Sequence, residues 1–260
     1  MKTPTLVFVL CAITCAGLAC TKSAPADAPT DEAPAAHTAG DPESTTTAEA
    51  QPAPPRGNLL QNPSFEDGRA SWSWKNKSQF WVDFEIEEEK SHSGTRSVKL
   101  ELDSGDGSKL SSRVAAVFQE VTVPEFPERL GGYYYVEELG KSDPRIELFL
   151  QVTVIVWGEE KNSLPNYQIR YYLGGQTHVS APIGNAKIEV LTGEQPKTNT
   201  WVPFDIPIRD DFKRLWGAVP QAYDRVEVFF EVRWDKMTKQ GEVVAEVIYD
   251  DLYVEPFQAP

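Results

Sequence analysis

The sequence predicts an all-β protein, an antiparallel β-sandwich that follows a disordered N-terminal linker. In residues 58–260, about ten short runs alternate apolar and polar side chains, as half-buried strands do. Clusters of Gly, Pro, Asn and Asp separate these runs, and a helical period is almost absent. The preceding residues carry too few large apolar side chains to form a core.

The first residues have the pattern of a secretory signal peptide, which we assign to residues 1–19. Lys2 precedes an apolar run, and small residues come directly before Cys20. This placement resembles the lipobox of bacterial lipoproteins, which implies acylation of Cys20, although Gly17 stands where the pattern has Leu. Thr21 is not the aspartate associated with inner-membrane retention, so we expect an exported protein that is lipid-anchored at the outer membrane. Ordinary cleavage and secretion is the alternative.

Residues 20–57 form an acidic tether rich in Ala, Pro and Thr. From Thr21 to Gly57 there is no Phe, Tyr, Trp, Leu, Ile or Val, so burial cannot offset the chain entropy. The prolines favour an extended chain. We therefore expect a disordered linker, followed by one folded domain over residues 58–260.

The strands of this domain are predicted from alternation with a period of two. In residues 145–157 the aliphatic side chains share one face, and residues 225–234 alternate apolar with mostly charged side chains. One short helix is predicted at 210–216, closed by Gly217. The other predicted strands are 80–87, 95–102, 114–123, 132–137, 167–173, 186–191, 201–208 and 243–254.

Charge and composition exclude several functions. Asp and Glu number 39 against 25 Lys and Arg, a formal charge of −14, which disfavours nucleic acid as a partner. The three cysteines all lie within the first twenty residues, and there are only three histidines: His37, His92 and His178. Zinc chemistry and triad hydrolysis are therefore poor hypotheses for the folded domain.

Three landmarks resemble the CenC-type carbohydrate-binding modules. They are residues 58–68 followed by Trp72, the Ser-Gly turn and strand of residues 92–100, and the acidic pair in residues 249–254. Together they span nearly all of the domain in the expected order. The resemblance implies a jelly-roll sandwich of the galactose-binding-domain-like group, with Trp72 in a structural role.

The same resemblance implies a structural calcium ion. The first and last strands of a jelly roll lie close together, so Glu66 and Asp250 are expected to converge near the turn at Ser93. Carboxylate and carbonyl oxygens are the ligands that calcium prefers. The alternative is that Glu66 only caps a turn and Asp250 pairs with an arginine.

A ligand site is predicted on the polar faces of the long strands. Carbohydrate modules stack aromatic rings on sugars and bond the hydroxyl groups with planar polar side chains. The residues that combine these properties are Phe149, Gln151, Thr153, Trp157, Arg170, Tyr172, Phe229, Glu231 and Arg233. If their strands share one sheet, they form a single aromatic and polar trough.

We therefore expect a non-catalytic module that binds a polysaccharide or another glycan at the cell envelope. The alternative is a structural or protein-interaction lipoprotein that uses the same sandwich and an envelope protein partner. A glycoside hydrolase, which needs two carboxylates across a cleft, is the least favoured hypothesis. The Glu-x-Asp-x-x-Glu strand of jelly-roll glucanases is missing, and residues 246–251 come nearest to it.

Overall fold

The computed structural model describes residues 57–75, 78–104, 112–158, 167–176, 184–235 and 241–258. The predicted signal peptide, Cys20 and the predicted tether as far as residue 56 lie outside the described residues. No helix within these ranges is long and apolar enough to span a membrane.

The described residues form eleven strands and one helix. In chain order these are β1 Trp81–Val82, β2 Glu85–Glu87, β3 Ser97–Asp103, β4 Ser112–Val121, β5 Arg129–Lys141, β6 Glu147–Trp157, β7 Tyr167–Gly174, β8 Ala186–Val190, β9 Trp201–Ile206, α1 Ile208–Trp216, β10 Arg225–Asp235 and β11 Val243–Glu255.

Two sheets pack as a jelly-roll β-sandwich, which confirms the predicted fold class. The six-stranded sheet has the order β1-β4-β10-β6-β7-β8, and the five-stranded sheet has the order β2-β3-β11-β5-β9. Pairing is antiparallel except at the two edges of the six-stranded sheet, where β1 pairs with β4 and β7 with β8 in parallel. The predicted antiparallel arrangement thus holds for the other strand pairs of both sheets.

The predicted strand 80–87 is in fact two short strands that belong to different sheets. β1 joins the six-stranded sheet and β2 the five-stranded sheet. Between them the Asp83 carboxylate accepts the N–H of Phe84 at 2.8 Å and pairs with Arg69, while the Phe84 ring is buried. These contacts hold the chain where it crosses from one layer to the other.

The core lies between the two sheets. Along β10 the buried side chains Val228, Phe230 and Val232 alternate with side chains on the opposite face, as a period of two requires. Along β6, Leu150, Val152 and Val154 do the same. The faces predicted from the sequence for these two strands are confirmed.

The first described segment pairs with the last strand, as the landmarks predict. Leu59 N donates to Val254 O at 2.9 Å, and Leu252 N donates to Pro63 O at 3.0 Å. The Asn58 side chain donates to Leu252 O at 2.8 Å and accepts the Val254 N–H at 3.0 Å. The two ends of the domain are thus held edge to edge.

Helix α1 covers one end of the core and begins two residues before the predicted start. Its first turn carries Asp210 and Asp211, whose negative charges interact favourably with the positive N-terminal end of the helix dipole. The buried Phe212 ring meets Phe126 at 4.8 Å. The helix ends at Gly217, whose φ of 84° is the left-handed conformation that glycine adopts readily.

Candidate ligand-binding groove

A groove of about 720 Å³ lies on the outer face of the six-stranded sheet. Its floor comes from β4, β10, β6 and β7, and residues 73–75 and 80–81 form a wall. The lining residues are Ser73, Trp74, Lys75, Phe80, Trp81, Phe118, Gln151, Thr153, Ile155, Trp157, Gln168, Arg170, Glu227, Phe229, Glu231 and Arg233. Such a volume lies within the range of about 300–1,000 Å³ typical of small-molecule sites.

Strand register places the floor residues in rows across the sheet. One row pairs Phe229 with Phe118 on β4 and with Thr153 on β6, and Thr153 pairs in turn with Arg170 on β7. The adjacent row contains Glu231, which lies opposite Gln151. Because neighbouring strands are about 4.8 Å apart, each row brings rings and polar groups into one contact area.

Aromatic rings form one side of the groove. Phe118 stacks on Phe229 with ring centroids 4.8 Å apart and an interplanar angle of 18°. The Trp81 ring lies over Phe229 at 6.1 Å and 30°, and Phe80 meets Trp81 edge-on at 5.1 Å. Phe229 and Phe118 are nearly buried, whereas Trp81 and Trp157 stay partly exposed to the groove. These two tryptophans, together with Trp74 and Phe80 of the wall, which are also partly exposed, are the rings that a ligand can reach.

A cation and a buried carboxylate meet above the phenylalanines. Lys75 Nζ lies 3.3 Å from both carboxylate oxygens of Glu227 and 4.1 Å from the centroid of Phe118. Glu227 is 1% exposed, and its burial raises the pKa of the carboxyl above the ordinary value of 4.5, although the Lys75 charge opposes this. This contact attaches the wall, through Lys75, to Glu227 of the floor.

Glu231 is the second buried carboxylate of the floor. Its Oε2 accepts a hydrogen bond from Gln151 Nε2 at 3.0 Å, and Arg233 lies 3.9 Å away. Burial raises the pKa of Glu231, although the charge of Arg233 opposes the shift. Gln151 Nε2 also donates to Thr153 Oγ1 at 2.8 Å, whereas the buried Gln151 Oε1 accepts no hydrogen bond. The floor therefore presents one unpaired acceptor.

Arg170 is placed differently from the other two cations of the groove, Lys75 and Arg233. Its Nε donates to Gln168 Oε1 at 3.0 Å, and no ion pair joins it to a carboxylate in the described part of the chain. Burial lowers the pKa of Arg170, partly opposed by the charge of Glu231. Its terminal guanidinium nitrogens are directed to no protein carboxylate.

Of the eight residues predicted to bind a ligand, the structure brings six into this groove. These six are Gln151, Trp157, Arg170, Phe229, Glu231 and Arg233, and Thr153 lies among them. Phe149 and Tyr172 are outside the lining: they are 1% and 3% exposed, and their rings pack against each other at 4.7 Å. The ligand role of all eight stays a prediction.

Sequence reasoning missed the wall and the β4 side of the groove. Phe118 ends a run of five apolar residues, 114–118, without the alternation that identifies an outer face. Residues 73–75 precede any predicted strand, and only their aromatic content (Trp74) is a signal. The missed polar or charged residues are Ser73, Lys75, Gln168 and Glu227.

The predicted metal residues Glu66, Ser93 and Asp250 do meet at one place, the turn of residues 92–96. Glu66 Oε1 accepts the N–H groups of Thr95 at 2.8 Å and Arg96 at 2.9 Å, and Oε2 accepts the Thr95 hydroxyl at 2.9 Å. Gly94 has a φ of +63°, and a Cβ there would approach Glu66 Oε1 to 2.3 Å. Glu66 therefore caps this turn, and the capping lowers its pKa.

Asp250 is fully buried and holds the other side of the turn. Its Oδ2 accepts the N–H groups of His92 at 2.7 Å and Ser93 at 3.1 Å, and Oδ1 accepts the Asp251 N–H at 2.7 Å. Burial, together with the charge of Asp251, raises the pKa of Asp250 to about 7. Its partners are backbone amides and not the arginine considered as the alternative.

Asp251 binds three side chains around the same turn. Its carboxylate accepts hydrogen bonds from Ser64 at 2.8 Å and Ser93 at 2.7 Å and contacts His92 Nδ1 at 2.6 Å. Burial acts to raise the pKa of Asp251, but these hydrogen bonds hold it below its ordinary value. The His92 ring stacks on Tyr133 at 3.6 Å. The acidic pair thus fastens the turn to β11.

These residues fit a capped turn better than a calcium site. Every carboxylate oxygen of Glu66 and Asp250 already accepts a hydrogen bond from the protein, and Ser93 contributes an N–H and a hydroxyl donor. Within the described ranges, no group of three or more His, Cys, Asp or Glu side chains is arranged to hold a metal ion. Calcium binding stays a prediction that this geometry does not favour.

No protein-family model and no curated protein matches the chain. Among solved structures, the chain is similar to TmCBM61 in complex with β-1,4-galactotriose, with 15% identity, a TM-score of 0.41, and 77% of this chain and 99% of that chain covered. It is also similar to CBM28, a module specific for non-crystalline cellulose, with 12% identity, a TM-score of 0.41 and coverage of 77% and 96%.

A third similar structure is endoglucanase 3 of Trichoderma harzianum, from family GH12. It has 11% identity, a TM-score of 0.31, and 75% of this chain and 86% of that chain covered.

Proposed function

We propose that the groove binds a carbohydrate and performs no chemistry on it. The observation that carries the proposal is the combination of partly exposed tryptophans with a polar floor in one groove. Trp81 and Trp157 offer rings for the apolar faces of sugars, while Gln151 and Arg170 offer an acceptor and donors for the substituents. This combination matches the two kinds of surface that a sugar ring presents.

The arrangement of acids supports binding over hydrolysis. Glu227 and Glu231 lie four residues apart on the same face of one strand, and they are only 1% and 2% exposed. A hydrolase needs two carboxyl groups about 5–10 Å apart on either side of the scissile bond. Both acids here are held in contacts with the protein, Glu227 by Lys75 and Glu231 by Gln151. We infer that both carboxylates have a structural role, in which they hold Lys75 and Gln151 in place.

We extend the proposal to the location of the protein at the cell envelope. The signal-peptide pattern before Cys20 and the Pro-rich tether support a lipid-anchored protein that displays the domain away from the membrane. Partitioning of the exported protein into a detergent phase, compared between the wild type and Cys20→Ala, tests the anchor. Loss of partitioning in the variant is expected, and equal partitioning would leave secretion as the better explanation.

The binding proposal is tested with a glycan array and pull-downs on insoluble polysaccharides, using the full chain. We expect Trp81→Ala and Trp157→Ala each to weaken binding by about tenfold, since one ring stacked on a sugar contributes on the order of 1 kcal/mol or more. Trp216→Ala is the matched control, because Trp216 lies on α1 outside the groove lining.

Each outcome separates the candidate functions. Binding that survives both groove substitutions would place the site elsewhere on the domain. Binding of no glycan would favour the structural or protein-interaction role at the envelope. Release of reducing sugar ends from a bound polysaccharide, measured in the same samples, would contradict the non-catalytic part of the proposal.

A further inference from the structure

The cations of the groove are not equivalent, and the difference indicates the class of sugar. Lys75 is paired with Glu227 at 3.3 Å, and Arg233 is paired with Asp235 at 2.9 Å. Among the described residues of the groove, Arg170 alone is a cation without a carboxylate partner within 4 Å. Placing an unpaired charge in a partly buried position is costly unless an anion completes it.

The hydrogen bonds of Arg170 leave its outer edge available. Gln168 Oε1 accepts from Nε at 3.0 Å and thereby orients the guanidinium plane, while the two terminal nitrogens have no acceptor among the described side chains. A guanidinium presents its N–H groups as a planar fork that matches the two oxygens of a carboxylate. The two terminal nitrogens of Arg170 can therefore bind the two oxygens of a carboxylate in the groove.

A second, independent feature lies one row away. Gln151 is 1% exposed and lines the groove, and its Oε1 accepts no hydrogen bond. Its Nε2 donates to Thr153 and Glu231, which fixes the orientation of the amide. A buried acceptor without a partner destabilises the protein unless a ligand supplies a donor. By sheet geometry the Cα atoms of Gln151 and Arg170 are about 8 Å apart.

We propose that the groove recognises a uronic acid residue, with the sugar carboxylate on the terminal nitrogens of Arg170 and a sugar hydroxyl donating to Gln151 Oε1. This inference rests on the proposed carbohydrate binding and adds the class of sugar. Neutral sugars would satisfy Gln151 but place no carboxylate on the terminal nitrogens of Arg170. An acidic sugar satisfies both groups, with the hydroxyl and the carboxylate on one ring or on neighbouring rings.

The negative net charge of the chain helps to distinguish specific binding of an acidic sugar from nonspecific adsorption. With a formal charge of −14, the protein repels a polyanion, and that repulsion is screened beyond about 8 Å at physiological ionic strength. Nonspecific adsorption of an acidic polysaccharide is therefore disfavoured. Binding of such a polymer would have to come from a local cation, and Arg170 is the groove cation that is free to provide it.

The test compares each of three acidic polymers with its own carboxyl-reduced form. Polygalacturonate, alginate and hyaluronan are the probes, and binding to the full chain is measured by isothermal titration calorimetry. We expect at least one acidic polymer to bind about tenfold tighter than its reduced form, since hydrogen bonds to charged groups are stronger than neutral ones. Arg170→Gln should abolish this preference.

The matched control is Arg145→Gln, which removes an arginine that is 75% exposed and that, among the described residues, pairs with Asp143. It should keep the preference, and thermal melting should show both variants folded. Equal binding of acidic and reduced polymers by the wild type would overturn the uronic acid inference while leaving the proposed carbohydrate binding intact. A preference that persists in Arg170→Gln would also overturn it.

Two further outcomes complete the test. Binding of none of the polymers in either form, together with a negative glycan array, would overturn both the inference and the proposed function. Tighter binding of a sulfated galactan than of all three uronic acid polymers would assign the anion at Arg170 to a sulfate ester and would overturn the carboxylate assignment.

Discussion

Gln151 and Glu231 lie directly opposite one another on β6 and β10, and the glutamine amide donates a 3.0 Å hydrogen bond to the glutamate carboxylate. Both side chains are almost fully buried although they face away from the core. The groove floor is therefore a hydrogen-bonded polar layer whose geometry is set before a ligand arrives.

Stability should depend on pH through Glu231. Its pKa is raised above 4.5 by burial, and the groups around it are Arg233 and Asp235 on its own strand and Arg170 on β7. An acid with a higher pKa in the folded chain stabilises the fold at low pH, and this contribution is lost as pH rises above 4.5. We therefore expect the stability of the Glu231→Gln variant, relative to that of the wild type, to increase from pH 5 to pH 8.

Thermal melts of both proteins at the two pH values measure this trend. Glu85→Gln is the matched control, because Glu85 is an exposed residue of the short strand β2. A difference between the wild type and Glu231→Gln that is the same at pH 5 and pH 8 would contradict the raised pKa.

Lys75 should stabilise the groove through its contact with Glu227. Replacement by methionine keeps an apolar side chain over Phe118 but leaves the buried carboxylate with Arg225 as its nearest cation, at 3.6 Å. Because the Lys75 side chain is 34% exposed, we expect a loss of only about 1–2 kcal/mol in the free energy of unfolding. Urea denaturation measures it.

A double-mutant cycle provides the control for this pair. Adding Glu227→Gln to Lys75→Met removes the buried charge that Lys75 contacted, so the double variant should recover most of the lost stability. If the two substitutions instead destabilise additively, the 3.3 Å contact contributes nothing measurable.

The turn of residues 92–96 should depend on Glu66 whether or not calcium is present. Glu66→Gln keeps the shape but removes the charge that accepts the Thr95 and Arg96 N–H groups. We expect the melting temperature of the variant to fall by the same amount in calcium and in EDTA. A wild-type Tm that drops on chelation, with no such drop in the variant, would establish the calcium site predicted from the sequence.

Phe65 should be among the most important core residues of the first segment. Its ring is fully buried and stacks on Trp72 with centroids 4.9 Å apart. Phe65→Ala should cost about 3–5 kcal/mol of unfolding free energy. Its φ of 57° is retained by alanine, so the loss reports the ring.

Tyr167→Ala is the control for Phe65→Ala, because Tyr167 is 42% exposed and its ring meets Trp216 edge-on at 4.8 Å, so its loss should cost only about 1 kcal/mol. Chemical denaturation of both variants decides the point. Equal, small losses would show that the first segment is not part of the cooperative core.

The inward and outward faces of the long strands were predictable because strand periodicity is local. Alternation along β10 assigned Phe229, Glu231 and Arg233 to one face and Trp234 to the other, and the structure confirms this. Residues 80–87 show the limit of the same reasoning. Their alternation predicted one strand, but Phe84 anchors a crossing between sheets that no local pattern records.

The groove itself could be predicted only in part. The sequence identified polar and aromatic residues on three strands, but the partner of each strand was unknown. Packing placed Phe149 and Tyr172 against each other beside the groove and brought Trp81, Phe118 and Lys75 into it. Those contacts join residues far apart in the chain, so their geometry depends on the register of the whole sheet.

The sequence alone determined the class of fold, the inward and outward faces of the long strands and the meeting of the two ends of the domain, because these depend on periodicity and short motifs. Only the tertiary structure decided which side chains are paired. It left Arg170 without a carboxylate partner and Gln151 Oε1 without a donor among the described residues, and it satisfied both Glu66 and Asp250 at one turn. The reason is physical: pairing depends on distances of a few ångströms across strands, and these are set only when the sheets close.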